Sequence, residues 1–135
     1  MPPHYLLDTN TASYVIKGNI PRVRQRLSKV PMAEVAISVI TEAELLFGVA
    51  RKPEAVALKT AVEEFLLRVD VLPWNSQSAR HYARIRAALE GEGRPMGNLD
   101  MMIAAQALAT PAVLVTSDSV FARIKHLRTE DWARV

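Results

Sequence analysis

The chain has 135 residues, half of them hydrophobic, with 17 basic and 14 acidic residues and no cysteine. This is one domain's worth of sequence with enough apolar material for a core, so we predict a single domain over residues 1–135. The lack of cysteine excludes disulfides and thiolate metal sites and favours a reducing, cytoplasmic location, and no apolar segment has the length of a membrane span.

Short apolar runs alternate with helical segments along the first half of the chain. Gly18 is placed to end one helix, and Pro21 to begin the next. Ser38 or Thr41 can cap the helix that follows the second apolar run. In chain order we predict a strand at 4–7, helices at 9–17 and 21–29, a strand at 35–37 and a helix to about 52.

The second half continues the alternation and begins with the clearest amphipathic helix, which follows Pro53. Ser76 and Asn98 are predicted caps of later helices. We further predict a strand at 71–72, helices from 76 and at 98–109, a buried strand at 112–115, a short helix at 119–124 and an edge strand at 127–129. This order predicts an α/β fold with a mostly parallel central sheet.

Four carboxylates occupy comparable positions in this order: Asp8 and Asp118 follow strands, whereas Glu44 and Asp100 lie in helices. Ligands of open parallel sheets bind outside the carboxyl ends of the strands, so we expect the four to meet at one edge. Clustered carboxylates favour a hard divalent cation, and an open acidic site with such an ion is suited to phosphodiester hydrolysis.

Each acid also has a purely structural explanation. Asp8 can cap the following helix, and Thr41 with Glu44 fits a capping box. Asp100 suits the positive end of a helix dipole, and Asp118 is an ordinary turn residue. The equivalent topological positions of all four favour a shared site over four separate local roles.

Outside the four acids the chain is strongly basic, with 17 basic residues against ten acidic ones. Such a surface around an acidic site attracts a polyanion. The predicted RNA contacts are seven arginines: Arg22, Arg24, Arg26, Arg80, Arg84, Arg86 and Arg94. Most of them can also be simple solvated surface.

Motifs around the four acids resemble one known family over essentially the whole chain, the VapC-type ribonuclease toxins with a PIN domain. The motifs are Leu7-Asp8-Thr9-Asn10; Ser38-x-x-Thr41-x-x-Glu44-Leu45 followed by Gly48; Asp100-x-x-Ile103-Ala104-Ala105; Thr116-x-Asp118-x-x-Phe121; and Leu127-x-x-Glu130-Asp131-Trp132. The resemblance implies a central parallel sheet of about five strands flanked by helices.

The resemblance also implies endoribonuclease activity with Mg²⁺ or Mn²⁺. Asp8, Asp100 and Asp118 are the predicted metal ligands, and Glu44 is expected to orient or deprotonate the attacking water. Four further residues match family positions that orient the acids: Thr9, Asn10, Ser38 and Thr116. Glu42 lies near Glu44, but the family motif favours Glu44.

The implied partners are a VapB-type antitoxin, an RNA substrate and a second copy of the chain, with DNA bound only through the antitoxin and no membrane. Apolar residues around Tyr14, Val15 and Ile16 can contact the antitoxin or belong to the core. Two alternatives are a PIN-domain nuclease of RNA maturation or decay without an antitoxin, and a non-catalytic RNA- or protein-binding module.

Overall fold

A five-stranded parallel sheet forms the centre of the molecule, which a computed structural model describes over residues 4–134. The strands are β1 (Tyr5–Leu7), β2 (Val35–Ser38), β3 (Asp70–Leu72), β4 (Val113–Val115) and β5 (Thr129–Glu130). Their order is β3-β2-β1-β4-β5, so the first strand lies in the middle with β2 and β4 on either side. The predicted α/β fold with a parallel sheet is confirmed.

Six α-helices cover the two faces of the sheet. They are α1 (Thr9–Lys17), α2 (Pro21–Ser28), α3 (Val39–Ala50), α4 (Val56–Arg68), α5 (Ser76–Gly91) and α6 (Asn98–Ala109), with short 3-10 turns at Met32–Glu34 and Ser119–Arg123. No helix within residues 4–134 has the length and apolar character needed to cross a bilayer.

The side chains of the central strands point alternately to the two faces of the sheet, and each face has its own hydrophobic cluster. Leu6 packs into a cluster with α5 and α6, whereas its neighbour Leu7 packs into a second cluster that includes residues of α1 and α4. Successive side chains of a strand point to opposite faces, and strands covered on both faces are continuously apolar. The apolar runs seen in the sequence therefore follow from the burial of both faces of this sheet.

The helix ends agree with the sequence in some places and differ in others. Ser38, not Thr41, caps α3, and Asn75, not Ser76, caps α5. Gly97 precedes α6 without a side-chain cap, so the prediction for Asn98 is wrong. The helix expected directly after Pro53 begins at Val56, and the last strand lies at Thr129–Glu130 instead of 127–129.

Gly18 ends α1 in the left-handed conformation, with φ at 65°. The Arg24 guanidinium lies against it and donates hydrogen bonds to the carbonyl oxygens of Val15 and Ile16. A Cβ at position 18 would meet the guanidinium carbon at 2.5 Å. Glycine is therefore needed both for the backbone conformation and for the close approach of Arg24.

Candidate active site

Asp8 lies at the carboxyl end of the central strand and is only 4 % exposed. Its backbone N–H donates to the Val115 carbonyl oxygen at 3.0 Å, which ties it to the end of β4. Its carboxylate accepts from the Thr11 backbone N–H at 2.8 Å and thereby caps α1. The structural explanation for Asp8 as a helix cap is therefore confirmed, and its role in an acidic site remains a prediction.

Thr116 connects Asp8 to Asp118 just beyond β4. The Asp118 backbone N–H donates to the Thr116 hydroxyl at 3.1 Å, and that hydroxyl is also hydrogen-bonded to the Asp8 carboxyl group. The Asp118 carboxylate is exposed and accepts from the Val120 backbone N–H at 2.9 Å. Thr116 therefore lies between the first and fourth acids and contacts the segment of each.

Glu44 enters the site from α3, one turn beyond Thr41. The Thr9 hydroxyl donates to Glu44 Oε1 at 2.6 Å and lies 3.1 Å from the Thr41 hydroxyl oxygen. The Thr9 hydroxyl therefore contacts the Glu44 carboxylate directly, and the Thr41 hydroxyl contacts Thr9. Because α3 begins at Val39, Thr41 and Glu44 lie inside the helix and do not form the capping box considered above.

Asp100 occupies the first turn of α6 and is half-buried among the other acids. Desolvation raises the pKa of Asp100, and the negative charges of Glu44, Asp118 and Asp8 raise it further. The fold therefore brings the other three carboxylates within electrostatic reach of Asp100. The four acids come from segments that are distant in sequence.

The pKa of Asp8 is also raised, chiefly because the side chain is buried. Hydrogen bonds from Thr116 and Thr11 partly oppose this effect, and the charge of Asp118 adds to it. Burial and like charges both disfavour the ionised form of a carboxyl group. The site therefore carries more negative charge than its surroundings compensate.

The donor set fits a hard divalent cation, although the oxygens do not form a finished coordination sphere. Within residues 4–134, no three acidic or histidine side chains are close enough together to hold a metal ion as they stand. Asp8 and Asp118 instead accept backbone hydrogen bonds. Uncompensated carboxylates repel each other, and Mg²⁺ prefers oxygen ligands while keeping several waters, so the chemistry of the site suits such an ion.

Two other predicted orienting residues have different surroundings. Ser38 is fully buried, and its hydroxyl accepts from the Ile40 backbone N–H at 3.0 Å, so it fixes the start of α3. Asn10 is exposed and, with Thr9 and Glu44, lines a cavity of about 190 Å³. Sequence analysis missed Thr11, whose hydroxyl donates to the Val115 carbonyl oxygen; its position three residues after Asp8 was the available clue.

The seven arginines predicted to bind RNA fall into different environments. Arg22, Arg24 and Arg26 contact other parts of the chain through hydrogen bonds, and Arg86 pairs with Glu90 at 2.9 Å. Arg80, Arg84 and Arg94 are exposed. Arg94 lines a cavity together with Asp118.

Comparison with known proteins agrees with this geometry. The PIN-domain profile matches residues 5–127. The chain is 35% identical over 130 residues to the tRNA(fMet)-specific endonuclease VapC of Shigella flexneri, covering 96% of this chain and 98% of the relative. It is also 36% identical over 132 residues to ribonuclease VapC1 of Haemophilus influenzae strain R2866, with coverage of 96% and 98%.

The chain belongs to the VapC ribonucleases of the PIN-domain family. Solved VapC structures share its fold. The DNA-bound VapBC of Salmonella typhimurium matches with a TM-score of 0.89 and 36% identity, covering 96% of this chain and 98% of that one. The promoter-bound VapBC2 of Rickettsia felis gives a TM-score of 0.87 at 31% identity, with coverage of 95% and 98%.

Proposed function

We propose that this VapC-family chain hydrolyses RNA phosphodiester bonds with a divalent metal ion held by Asp8, Asp100 and Asp118. The family places it as the toxin ribonuclease of a type II toxin–antitoxin module. The observation that carries the metal proposal is the position of Asp100, a half-buried carboxylate whose pKa is raised first by burial and then by the charges of three acids from other segments. Such an arrangement calls for a compensating cation.

The chain's own residues divide the work between binding and proton transfer. Mg²⁺ or Mn²⁺ bound by the three aspartates would stabilise negative charge that develops on the phosphate. The Thr9 hydroxyl donates a hydrogen bond to Glu44 and so orients its carboxylate. We propose that this carboxylate orients or deprotonates the water molecule that attacks the phosphate. Thr116 holds Asp8 and Asp118 in register.

Structured RNA is the substrate class that we propose. Relatives from two enterobacteria are named as tRNA(fMet)-specific endonucleases, and they cover nearly the whole chain. We therefore expect transfer RNA to be the first substrate to test, with cleavage taking place in the cytoplasm. We also propose that residues 1–135 act as one domain and that two copies form a homodimer.

An apolar groove offers a place for the antitoxin. A cavity of about 790 Å³ is lined by residues of α1, α2 and α4, among them Val15, Ile16 and Phe65. Ile16 also lines the smaller cavity that contains Glu44, so the groove continues towards the acids. An amphipathic helix binds by placing its apolar face in such a groove. We propose that the antitoxin lies here and extends a basic residue to the acidic site.

Asp8→Asn tests the proposed activity. Asparagine caps a helix as well as aspartate does, so the fold should survive, whereas loss of the charge should reduce RNA cleavage by at least about 100-fold. Cleavage of transfer RNA with Mg²⁺ or Mn²⁺ is measured beside thermal unfolding. Asp70→Asn, an exposed change at the far edge of the sheet, is the matched control and should cleave normally. Cleavage by Asp8→Asn at the unmutated rate would refute the assignment.

A further inference from the structure

We propose that a positively charged groove, beginning beside Asp118, binds the phosphate backbone of the RNA next to the cleavage site. This proposal rests on the ribonuclease function above and adds a path for the substrate. The groove begins as a cavity of about 410 Å³ lined by Asp118, Arg94 and Arg123. An RNA strand whose phosphodiester bond lies at the acids must also contact the surfaces next to them. This cavity is one such surface, because Asp118 lines it.

A second cavity lies beside the first. It has a volume of about 300 Å³, and its lining combines Arg84, Arg123 and Lys125 with apolar side chains of α5 and α6. Arg123 lines both cavities, so the two are neighbours. Glu92 is the one acidic side chain that lines the second cavity among the described residues, so positive charge predominates there.

The positive charges of this groove are not neutralised by acids of the chain. Within residues 4–134, none of Arg84, Arg94, Arg123 and Lys125 forms an ion pair closer than 4 Å. By contrast, Arg86 on the same helix as Arg84 is paired with Glu90. Unpaired cations that line a cleft create a positive electrostatic potential, which attracts polyanions. Contacts with phosphates supply a large share of the affinity of proteins for nucleic acids.

The groove lies on a different side of the acidic site from the one proposed for the antitoxin. That groove approaches Glu44, and its lining combines apolar residues such as Ile16 with Arg24. The cationic groove begins at Asp118, and apolar side chains such as Ile124 also line its second cavity. RNA is the favoured occupant because the arginines and the lysine of this groove have no acidic partner among the described residues, while an acidic segment of the antitoxin is the competing occupant.

RNA binding by a double variant, Arg123→Ala with Lys125→Ala, tests the proposal. Both changes are made in an Asp100→Asn background so that bound RNA is not cut, and fluorescently labelled bulk transfer RNA is the probe. Each lost phosphate contact should reduce the slope of log affinity against log salt concentration by about 0.7–0.9. At about 0.1 M salt this corresponds to a loss of roughly five- to eightfold for each contact.

Two further variants make the result decisive. Arg123 donates to the Pro95 carbonyl oxygen at 3.3 Å, so replacing Arg123 can also disturb the loop that contains Pro95. The double variant Arg84→Ala with Lys125→Ala removes two charges and keeps this hydrogen bond. It should show the same reduction of the salt slope. Lys59→Ala removes an exposed charge on α4 and should leave the salt slope unchanged. Unfolding temperatures confirm that each variant is folded.

An unchanged salt slope in both double variants would overturn the proposal. If they lose affinity for the antitoxin while binding transfer RNA normally, the groove belongs to the antitoxin and the proposal is equally wrong. Failure of the ribonuclease function would look different, because the unmutated protein would then leave RNA intact with Mg²⁺ or Mn²⁺. Normal cleavage by the unmutated protein together with unchanged slopes would refute the groove alone.

Discussion

Single hydroxyl groups organise the acidic site. Thr9 donates to Glu44 at 2.6 Å, and Thr116 joins Asp8 to Asp118. A carboxylate that accepts a hydrogen bond loses rotational freedom, and the bond also favours its ionised form. These threonines can therefore control where the acids point, and the Thr116 hydrogen bond also lowers the pKa of Asp8.

Thr9→Val should reduce the rate of RNA cleavage about tenfold while leaving RNA affinity unchanged. The valine has a similar shape but cannot donate to Glu44, and a hydrogen bond to a charged group contributes about 1.5–3 kcal/mol. Single-turnover cleavage separates this effect from binding. Thr9→Ser retains the hydroxyl and should restore most of the rate; equal rates for valine and serine would exclude a positioning role.

Asp100→Asn should stabilise the metal-free protein at neutral pH. The pKa of Asp100 is raised from 3.8, so the folded protein binds its proton more tightly than the unfolded chain does. Its contribution to the free energy of unfolding is therefore present below about pH 3.8 and is lost as pH rises through the folded-state pKa. Asparagine cannot ionise, so Asp100→Asn avoids this loss of stability at neutral pH.

The measurement is denaturant unfolding in EDTA from about pH 3 to about pH 7. The stability difference between Asp100→Asn and the unmutated chain should be small at the acidic end and grow with pH. Asp70→Asn serves again as the control, since Asp70 is exposed at the far edge of the sheet. A difference that stays constant across this range would contradict the repulsion described for Asp100.

At the scale of elements, the end of the chain is fastened to α2 by an aromatic and ionic contact. Arg26 lies 3.2 Å from Glu130 and stacks over the Trp132 ring at 5.8 Å. The Trp132 indole N–H donates to the same Glu130 carboxylate at 3.0 Å. Because Glu130 belongs to β5, this contact also supports the edge strand next to β4.

Arg26→Ala should lower the free energy of unfolding by about 1 kcal/mol, the sum expected for one partly exposed ion pair and one cation–π contact. It should leave the salt dependence of RNA binding unchanged, although Arg26 was among the arginines predicted to contact RNA. Denaturant unfolding and RNA titrations measure the two effects. A reduced salt slope with normal stability would instead return Arg26 to the RNA-binding surface.

The sequence predicted most elements and several of their ends, such as those of the helices at 9–17 and 98–109, but not the order of the strands in the sheet. Apolar runs such as 112–115 and the amphipathic pattern after Pro53 identify strands and helices because burial imposes their spacing. Asn75 and Ser76 are both good caps, and only the tertiary path of the chain selects Asn75. The strand order depends on crossover connections, which local patterns do not encode.

At the scale of the whole molecule, basic residues that are close in sequence lie in different surroundings, which the sequence alone does not reveal. Arg86 and Arg84 are two residues apart, yet one is paired with Glu90 and the other lines the groove near Arg123. The sequence could relate the four acids to strand ends and helix starts, whereas nothing local in it tells a paired arginine from an unpaired one. Arg123 and Lys125 belong to no motif, so only the structure suggested them for the proposed groove.

Mn²⁺ should raise the unfolding temperature of the unmutated protein, because a ligand that binds only the folded state stabilises it. At 100 times its dissociation constant, the ion should add about 2.7 kcal/mol, which corresponds to a few degrees for a chain of this size. Thermal unfolding with EDTA and with Mn²⁺ tests this effect. Asp100→Asn should show little or no shift; equal shifts in both proteins would place the ion elsewhere.

The central position of β1 makes the acidic site depend on segments that lie far apart along the chain. Asp8 follows β1, which pairs on one side with β4, and Asp118 follows β4. A fragment that lacks β4 and the residues after it cannot assemble the full set of acids. Proteolytic cleavage between α6 and β4 should therefore inactivate the proposed nuclease, although Asp8, Glu44 and Asp100 would all remain on one fragment.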